Sequence, residues 1–185
     1  EYDFEKTDIT FSYNFDDLEL KELKNKYDFE KIGRNKNPFI SKLNLMLWVS
    51  KTLRSNGACI SPQNCNANEI LDLTINNGLQ SNCRMYAIVL TEILLSLGYK
   101  ARMIKCLPMD LRFTECHCMC IVYCDFYNKW IVMDPSLGGI YYDENRIPMN
   151  IFEIREAIIS NKQIDILYLP NNKKNVLQYL CKNLI

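Results

Sequence analysis

The chain has one histidine, His117, so a side chain with ordinary proton affinity near neutrality exists at only one position. Glycine and proline are scarce, six of each in 185 residues, which excludes collagen-like or low-complexity chain. No apolar run approaches the ~20 residues of a membrane-spanning helix. Charge of one sign is also missing: 22 basic and 22 acidic residues cancel, and neither kind forms a block. That removes the electrostatic case for a nucleic-acid partner or an anionic membrane surface. What is present is an apolar fraction of 48%, enough for a packed core and too much for disorder. The length suits one well-filled domain, and residues 1–185 are expected to form it.

Cysteine is abundant. The nine are Cys59, Cys65, Cys83, Cys106, Cys116, Cys118, Cys120, Cys124 and Cys181. A secreted disulfide scaffold is usually shorter and carries an even count. Several of these residues lie inside hydrophobic runs, where free cysteine acts as a small buried hydrophobe. The expectation is reduced core cysteines and a cytoplasmic setting. The sequence carries no signal peptide, and its start at Glu1 is compatible with a segment trimmed ahead of it.

Periodicity divides the chain into a helical first half and a stranded second half. Helices are expected from Asp16–Asp17 to about Lys26, from about Ser41 to Arg54, and from Asn66, where Asn66-x-x-Glu69 resembles a capping box, to Asn77–Gly78. Asn35 to Pro38 reads as a break between the first two. Strands are expected at Lys100–Leu107, Cys116–Asp125, Trp130–Met133 and Ile140–Tyr142, the second and third joined by a tight turn and therefore antiparallel. A helix opened by Asn150-x-x-Glu153, a strand at Ile164–Leu169 and a terminal helix at Val176–Leu184 complete the order. Helices followed by an antiparallel sheet make an α+β fold.

Between the two halves runs the most apolar segment, from Cys83 to Leu97, closed by Gly98. A helix apolar on all sides is a buried one. Ser81 or Asn82 can cap its start, which leaves Cys83 where unpaired N–H groups and the positive helix end favour a thiolate. His117 lies near the start of one expected strand and Asp134 at the end of the next, where Pro135 stops the ladder. Pairing through the short turn brings the two close, and a carboxylate beside an imidazole fixes its tautomer and favours its protonated form. A thiol at a helix start with that imidazole against it is an activated nucleophile.

Cys83 with Ala87, the run Leu97-Gly98-Tyr99-Lys100-Ala101-Arg102, His117, and Trp130-Ile131-Val132-Met133-Asp134-Pro135 together resemble the core of the transglutaminase-like superfamily, a branch of the papain-like cysteine enzymes. The resemblance implies a papain-like or transglutaminase-like core at about residues 66–142, with the cysteine-bearing helix packed on an antiparallel sheet and further helices at both ends. It implies Cys83 as nucleophile, His117 as general base and acid, and Asp134 as orienting carboxylate. Gln80 is the candidate second oxyanion-hole donor beside the Cys83 N–H, with Asn82 as competitor. The implied function is acyl chemistry on an amide through a thioester, as peptide or amide hydrolysis or as transfer to an amine. The substrate would be a peptide or protein amide, with no metal or organic cofactor. Arg102 corresponds to a structural arginine, expected in an ion pair. The family often has an aromatic residue after its cysteine and its histidine, where this chain has Arg84 and Cys118.

Two other readings compete. One is a non-catalytic binding or scaffold domain that keeps the fold with a vestigial triad. The other is a redox or zinc module on the Cys116 to Cys124 cluster. Cys116, Cys118 and Cys120 repeat at every second position, but alternate residues on a straight strand stand about 6.5–7 Å apart, too far for three sulfurs to meet one zinc. Oligomeric state leaves no mark on the sequence.

Overall fold

A computed structural model describes residues 11–108, 112 and 116–168. Four helices come first: α1 (Leu18–Lys26), α2 (Phe29–Gly33), α3 (Pro38–Thr52) and α4 (Ala67–Asn77), with the two-residue strands β1 (Arg54–Ser55) and β2 (Gln80–Ser81) flanking α4. The central helix α5 (Cys83–Ser96) follows, then the strands β3 (Ala101–Cys106), β4 (His117–Cys124), β5 (Lys129–Met133) and β6 (Gly139–Tyr142), helix α6 (Ile151–Ile159) and strand β7 (Asp165–Tyr168). The expected terminal helix at Val176–Leu184 lies outside the described residues. Among the described residues no helix is long and apolar enough to cross a membrane.

Side-chain caps set the helix starts. Asp17, Asn66, Asn82 and Asn150 each accept a hydrogen bond from a backbone N–H of the first turn they cap. Only Asn150 with Glu153 forms the full reciprocal capping box. At the start of α4 Glu69 bonds instead to the N–H of Asn64, so the box expected at Asn66 is half made. Gly78 ends α4 at φ +69°, a left-handed turn where glycine has no Cβ to clash.

One sequence expectation needs correction, and one element was not foreseen. Asn35 to Pro38 is not simply a break: Asn37 caps α3 and Pro38 occupies its first turn, where the absent N–H is no loss. The stretch before it folds as α2, capped by Asp28 and too short to show a period.

β3, β4 and β5 form one antiparallel sheet in that order, with Cys106 opposite His117 and Cys120 opposite Met133. Alternation gives this sheet two dry faces. Cys120, Val122, Cys124, Ile131 and Met133 face the helical layer, packing with Met85, Val89, Leu90, Ile93 and Leu94 of α5. Met119 and Val132 face the other way and pack with Tyr141, Met149, Ile154 and Ala157. α5 is thus buried between α1, α3 and α4 on one side and the sheet on the other, as its all-round apolar sequence requires. β6 pairs with β7 and is stitched to the end of β5 by backbone bonds between Asp134 and Gly139.

Candidate functional site

The first residue of α5 meets the first residues of β4. Asn82 caps the helix by accepting from the Met85 N–H at 3.2 Å, which puts Cys83 in the opening turn, half-buried. Its Sγ lies 3.9 Å from the carbonyl oxygen of Cys116, just ahead of β4. The Cys118 thiol and backbone N–H act as donors toward that sulfur, and the His117 imidazole close by favours its thiolate. The sulfur therefore reaches side chains from both faces of β4, because at the start of the strand it sits against the chain itself.

His117 is almost wholly buried, and its Nε2 is 2.6 Å from Oδ2 of Asp134. With Nε2 taken by the carboxylate, Nδ1 is the ring nitrogen on the Cys83 side. Extending the β4–β5 register one step past Cys120–Met133 sets Asp134 opposite Met119, on the face His117 also occupies. The imidazole and carboxylate are therefore diagonal neighbours across the ladder, not directly opposed.

Asp134 is inaccessible to solvent, and its charge is met by four further donors. Oδ1 accepts from the Ser136 hydroxyl at 2.9 Å, the Ser136 N–H at 3.2 Å and the Leu137 N–H at 3.1 Å. Oδ2 accepts from the Tyr141 hydroxyl at 3.2 Å. A buried carboxylate supplied in this way has its acceptor sites satisfied, and its orientation is fixed. The loop that does it is itself held: Ser50 of α3 donates to the Pro135 carbonyl at 2.6 Å, and Gly138 turns at φ +67° to return the chain to Gly139.

Electrostatics follow from these contacts. The Cys83 thiol is lowered to about 4, chiefly by the hydrogen bond from Cys118; burial opposes this, and His117 adds to it. Burial works against a charged His117, but the attraction and hydrogen bond of Asp134, with Cys83 on the other side, raise it to about 10. Cys118 is pushed up, first by donating to Cys83 and then by burial. Between about 4 and about 10 the pair therefore stands as thiolate and imidazolium.

Gln80, three residues ahead in β2, is exposed, and its Oε1 accepts from Asn56 Nδ2 at 2.7 Å. β2 runs parallel to β1, and Asn56 just past β1 also donates its N–H to the Ser81 carbonyl, so the approach to α5 is pinned on that side. Asn82 spends its side-chain oxygen on the helix cap. Among the described residues Arg102 meets aromatic rings and a hydroxyl, with no ion pair. Its guanidinium lies 3.7 Å from the centroid of Phe11 and 4.6 Å from that of Trp130, and its Nε donates to the Tyr13 hydroxyl at 2.6 Å. Among the described residues no group of His, Cys, Asp and Glu is placed to hold a metal ion.

Three partners of the site escape a sequence reading. Ser136 carries a signal, since Asp-x-Ser is a spacing at which an aspartate bonds to the turn that follows it. Tyr141 and Cys118 carry none: one arrives through the β6 bridge, and the other depends on where α5 ends against β4.

The sequence pattern of the Transglutaminase-like superfamily matches residues 26–135, a span that runs from α1 to the residue after Asp134. The chain belongs to that superfamily. A solved structure of a proposed cysteine protease from Cytophaga hutchinsonii is similar at 16% identity and a TM-score of 0.49, over 63% of this chain and 37% of the other. The chain thus spans little more than a third of that protein. Comparison with curated proteins gives no match. Membership places the chain on a cysteine-enzyme fold, α+β with the cysteine-bearing helix against an antiparallel sheet.

Proposed function

We propose that this superfamily member performs acyl chemistry on an amide, with Cys83 as nucleophile, His117 as general acid and base and Asp134 as the carboxylate that orients His117. One observation carries the reading: the imidazole that favours the Cys83 thiolate is itself held by a buried, fully bonded carboxylate 2.6 Å from Nε2. The thiolate attacks the carbonyl carbon, a C–S bond forms, and the carbonyl π electrons move to oxygen. Collapse of that oxyanion breaks the C–N bond, and the imidazolium gives its proton to the departing amine. Water, deprotonated by the now neutral imidazole, then adds to the thioester and releases the acid and the thiolate. An amine in place of water would give transfer; hydrolysis is preferred, because Cys83 is only half-buried and transfer needs a site that excludes water.

The Cys83 N–H at the helix start is one donor for the oxyanion. Gln80 is the proposed second, with its carboxamide orientation set by Asn56. A peptide or protein amide is the proposed substrate.

The test is the rate of alkylation of each cysteine against pH, read by peptide mapping in the parent and in His117→Ala, together with turnover of a peptide-amide library. Cys83 is expected to react at nearly full rate from about pH 5. His117→Ala is expected to slow it at pH 6 by about tenfold or more, and Cys83→Ala to abolish turnover. If Cys83 reacts no faster than other accessible cysteines, the reading fails and a binding domain with a vestigial triad replaces it.

A further inference from the structure

Six of the eight described cysteines gather near the start of β4 or electrostatically sense one another there: Cys59, Cys65, Cys83, Cys106, Cys116 and Cys118. Most have no use in amide chemistry. Their placement relative to Cys83 differs in kind. Cys59 lies against Met85, its sulfur 3.9 Å from the Met85 sulfur, and feels Cys83 only at a distance. Cys106 is buried on the opposite sheet face and also feels Cys83 only through space. Cys116 presents its backbone carbonyl to the Cys83 sulfur. Cys118 lies two residues past Cys116, on the β4 face that Cys120 turns toward α5, and its thiol is the one of these that favours the Cys83 thiolate.

We propose that Cys83 and Cys118 are a modification site, an oxidisable dithiol in which a hydroperoxide oxidises Cys83 and Cys118 resolves it as an intramolecular disulfide. The geometry gives each sulfur its role. Cys83 is half-buried and within reach of a small oxidant, whereas Cys118 is 2% exposed and reaches only its neighbour. The side chains approach from α5 and β4, two elements packed against each other, with the Cys83 sulfur 3.9 Å from the carbonyl oxygen of Cys116 just ahead of Cys118 on the chain.

In the first step the Cys83 thiolate attacks the terminal peroxide oxygen. The S–O bond forms, the O–O bond breaks, and the alkoxide or hydroxide leaves and takes a proton from water. Sulfur is oxidised by two electrons and the peroxide reduced by two. In the second step the Cys118 sulfur attacks the Cys83 sulfur, the S–S bond forms, and the S–O bond breaks. The hydroxide leaves as water with the proton that Cys118 had been donating to Cys83. The sum is two thiols and one hydroperoxide giving one disulfide, one alcohol (or water) and one water. The disulfide silences the nucleophile and shields it from irreversible sulfinic oxidation.

The proposal rests on the thiolate of the reading above. The experiment treats the intact protein with hydrogen peroxide near stoichiometry at pH 7, then maps its cysteines. The expected result is a mass lower by two hydrogens, a Cys83–Cys118 cross-linked peptide, loss of Cys83 alkylation, and its recovery on adding a dithiol reductant. Cys118→Ser, which keeps a hydroxyl donor beside Cys83, is expected to yield instead a Cys83 sulfenic acid that dimedone traps and that proceeds to sulfinic acid without recovery. A Cys83 cross-link to Cys59, Cys106 or Cys116, or a parent that reaches sulfinic acid with no cross-link, overturns the proposal. The mapping of the parent decides this even if the variant does not fold. Cys83 alkylation before oxidation separates the two readings: a sluggish Cys83 overturns both, and a fast Cys83 without the cross-link overturns only this one. A cross-link in a protein with no amide turnover leaves the dithiol standing and removes the acyl chemistry.

Discussion

Cys118 and Cys120 are two residues apart on β4, turned toward the same helix and both buried. Cys118 meets the opening turn of α5 and hydrogen-bonds to Cys83. Cys120 meets the middle of α5 beside Thr91, and burial pushes its thiol up to about 12. Its thiol donates to the Ile121 carbonyl at 3.7 Å, and the residue belongs to the core cluster that α5 shares with the sheet. One residue type on one face thus has two fates, and the difference is the helix terminus. In mid-helix every backbone N–H is spent within the ladder, so a neighbouring thiol finds no free N–H to favour its thiolate. At the N-terminus the first N–H groups are uncommitted, a thiolate is tolerated, and an adjacent thiol becomes its donor. The sheet repeats the contrast, since His117 at the start of β4 is near Asp134 while Ile121 and Tyr123 on the same face take part in no such charge pair.

The comparison can be broken in graded steps. Asp134→Asn carries the largest expected effect. Amide turnover falls by about 10²–10⁴-fold, and the alkaline limb of its pH profile moves down from about 10, because the charge that holds the proton on His117 is gone. In the parent the acid limb lies near 4, where Cys83 protonates, and turnover falls again as His117 loses its proton. A profile in Asp134→Asn whose alkaline limb is unmoved would show that the carboxylate only shapes the loop. Gln80→Ala comes next: loss of an oxyanion donor lowers kcat by about 10²–10³-fold with KM little changed. If KM rises and kcat holds, Gln80 binds substrate and Asn82 or another group completes the hole.

Cys120→Ala tests the inert end. It is expected to cost about 1–2 kcal/mol of stability by denaturant unfolding, through lost burial and a small cavity, and to leave the alkylation of Cys83 unchanged. A change in Cys83 reactivity would mean that the two cysteines are not independent. The smallest effect is expected from Tyr141→Phe, which removes one of several bonds to Asp134 and costs about 0.5–1.5 kcal/mol. A shift of the alkaline limb in this variant as large as in Asp134→Asn would make Tyr141 the main support of the charge.

Stability should follow the same two groups with opposite signs. His117 rises from 6.5 to about 10 in the fold, so its contribution is complete below 6.5 and is lost as pH climbs through 10. Cys83 falls from 9.0 to about 4, so its contribution is complete above 9 and is lost as pH drops through 4.

The sequence by itself determined most of the elements and the family. The all-round apolar run from Cys83 reads as a buried helix with Ser81 or Asn82 to cap it, and Asn82 is the residue that does. Alternation and a tight turn were enough to pair β4 with β5, because a one-residue slip would turn a dry face to water. Local chemistry also located Cys83, His117 and Asp134 at element ends, where side chains escape regular packing. Two things were decided only by tertiary structure. One was the short or cap-dependent elements: α2 is too brief for a period, and Pro38 is a starter only because Asn37 caps it. The other was company. That Tyr141 joins Asp134, that Phe11 and Trp130 flank Arg102, and that Cys118 rather than Cys120 touches Cys83 all depend on where one element stops against another. Periodicity fixes the face a residue occupies but not the height along a partner, and here height decides whether a thiol is filler or chemistry.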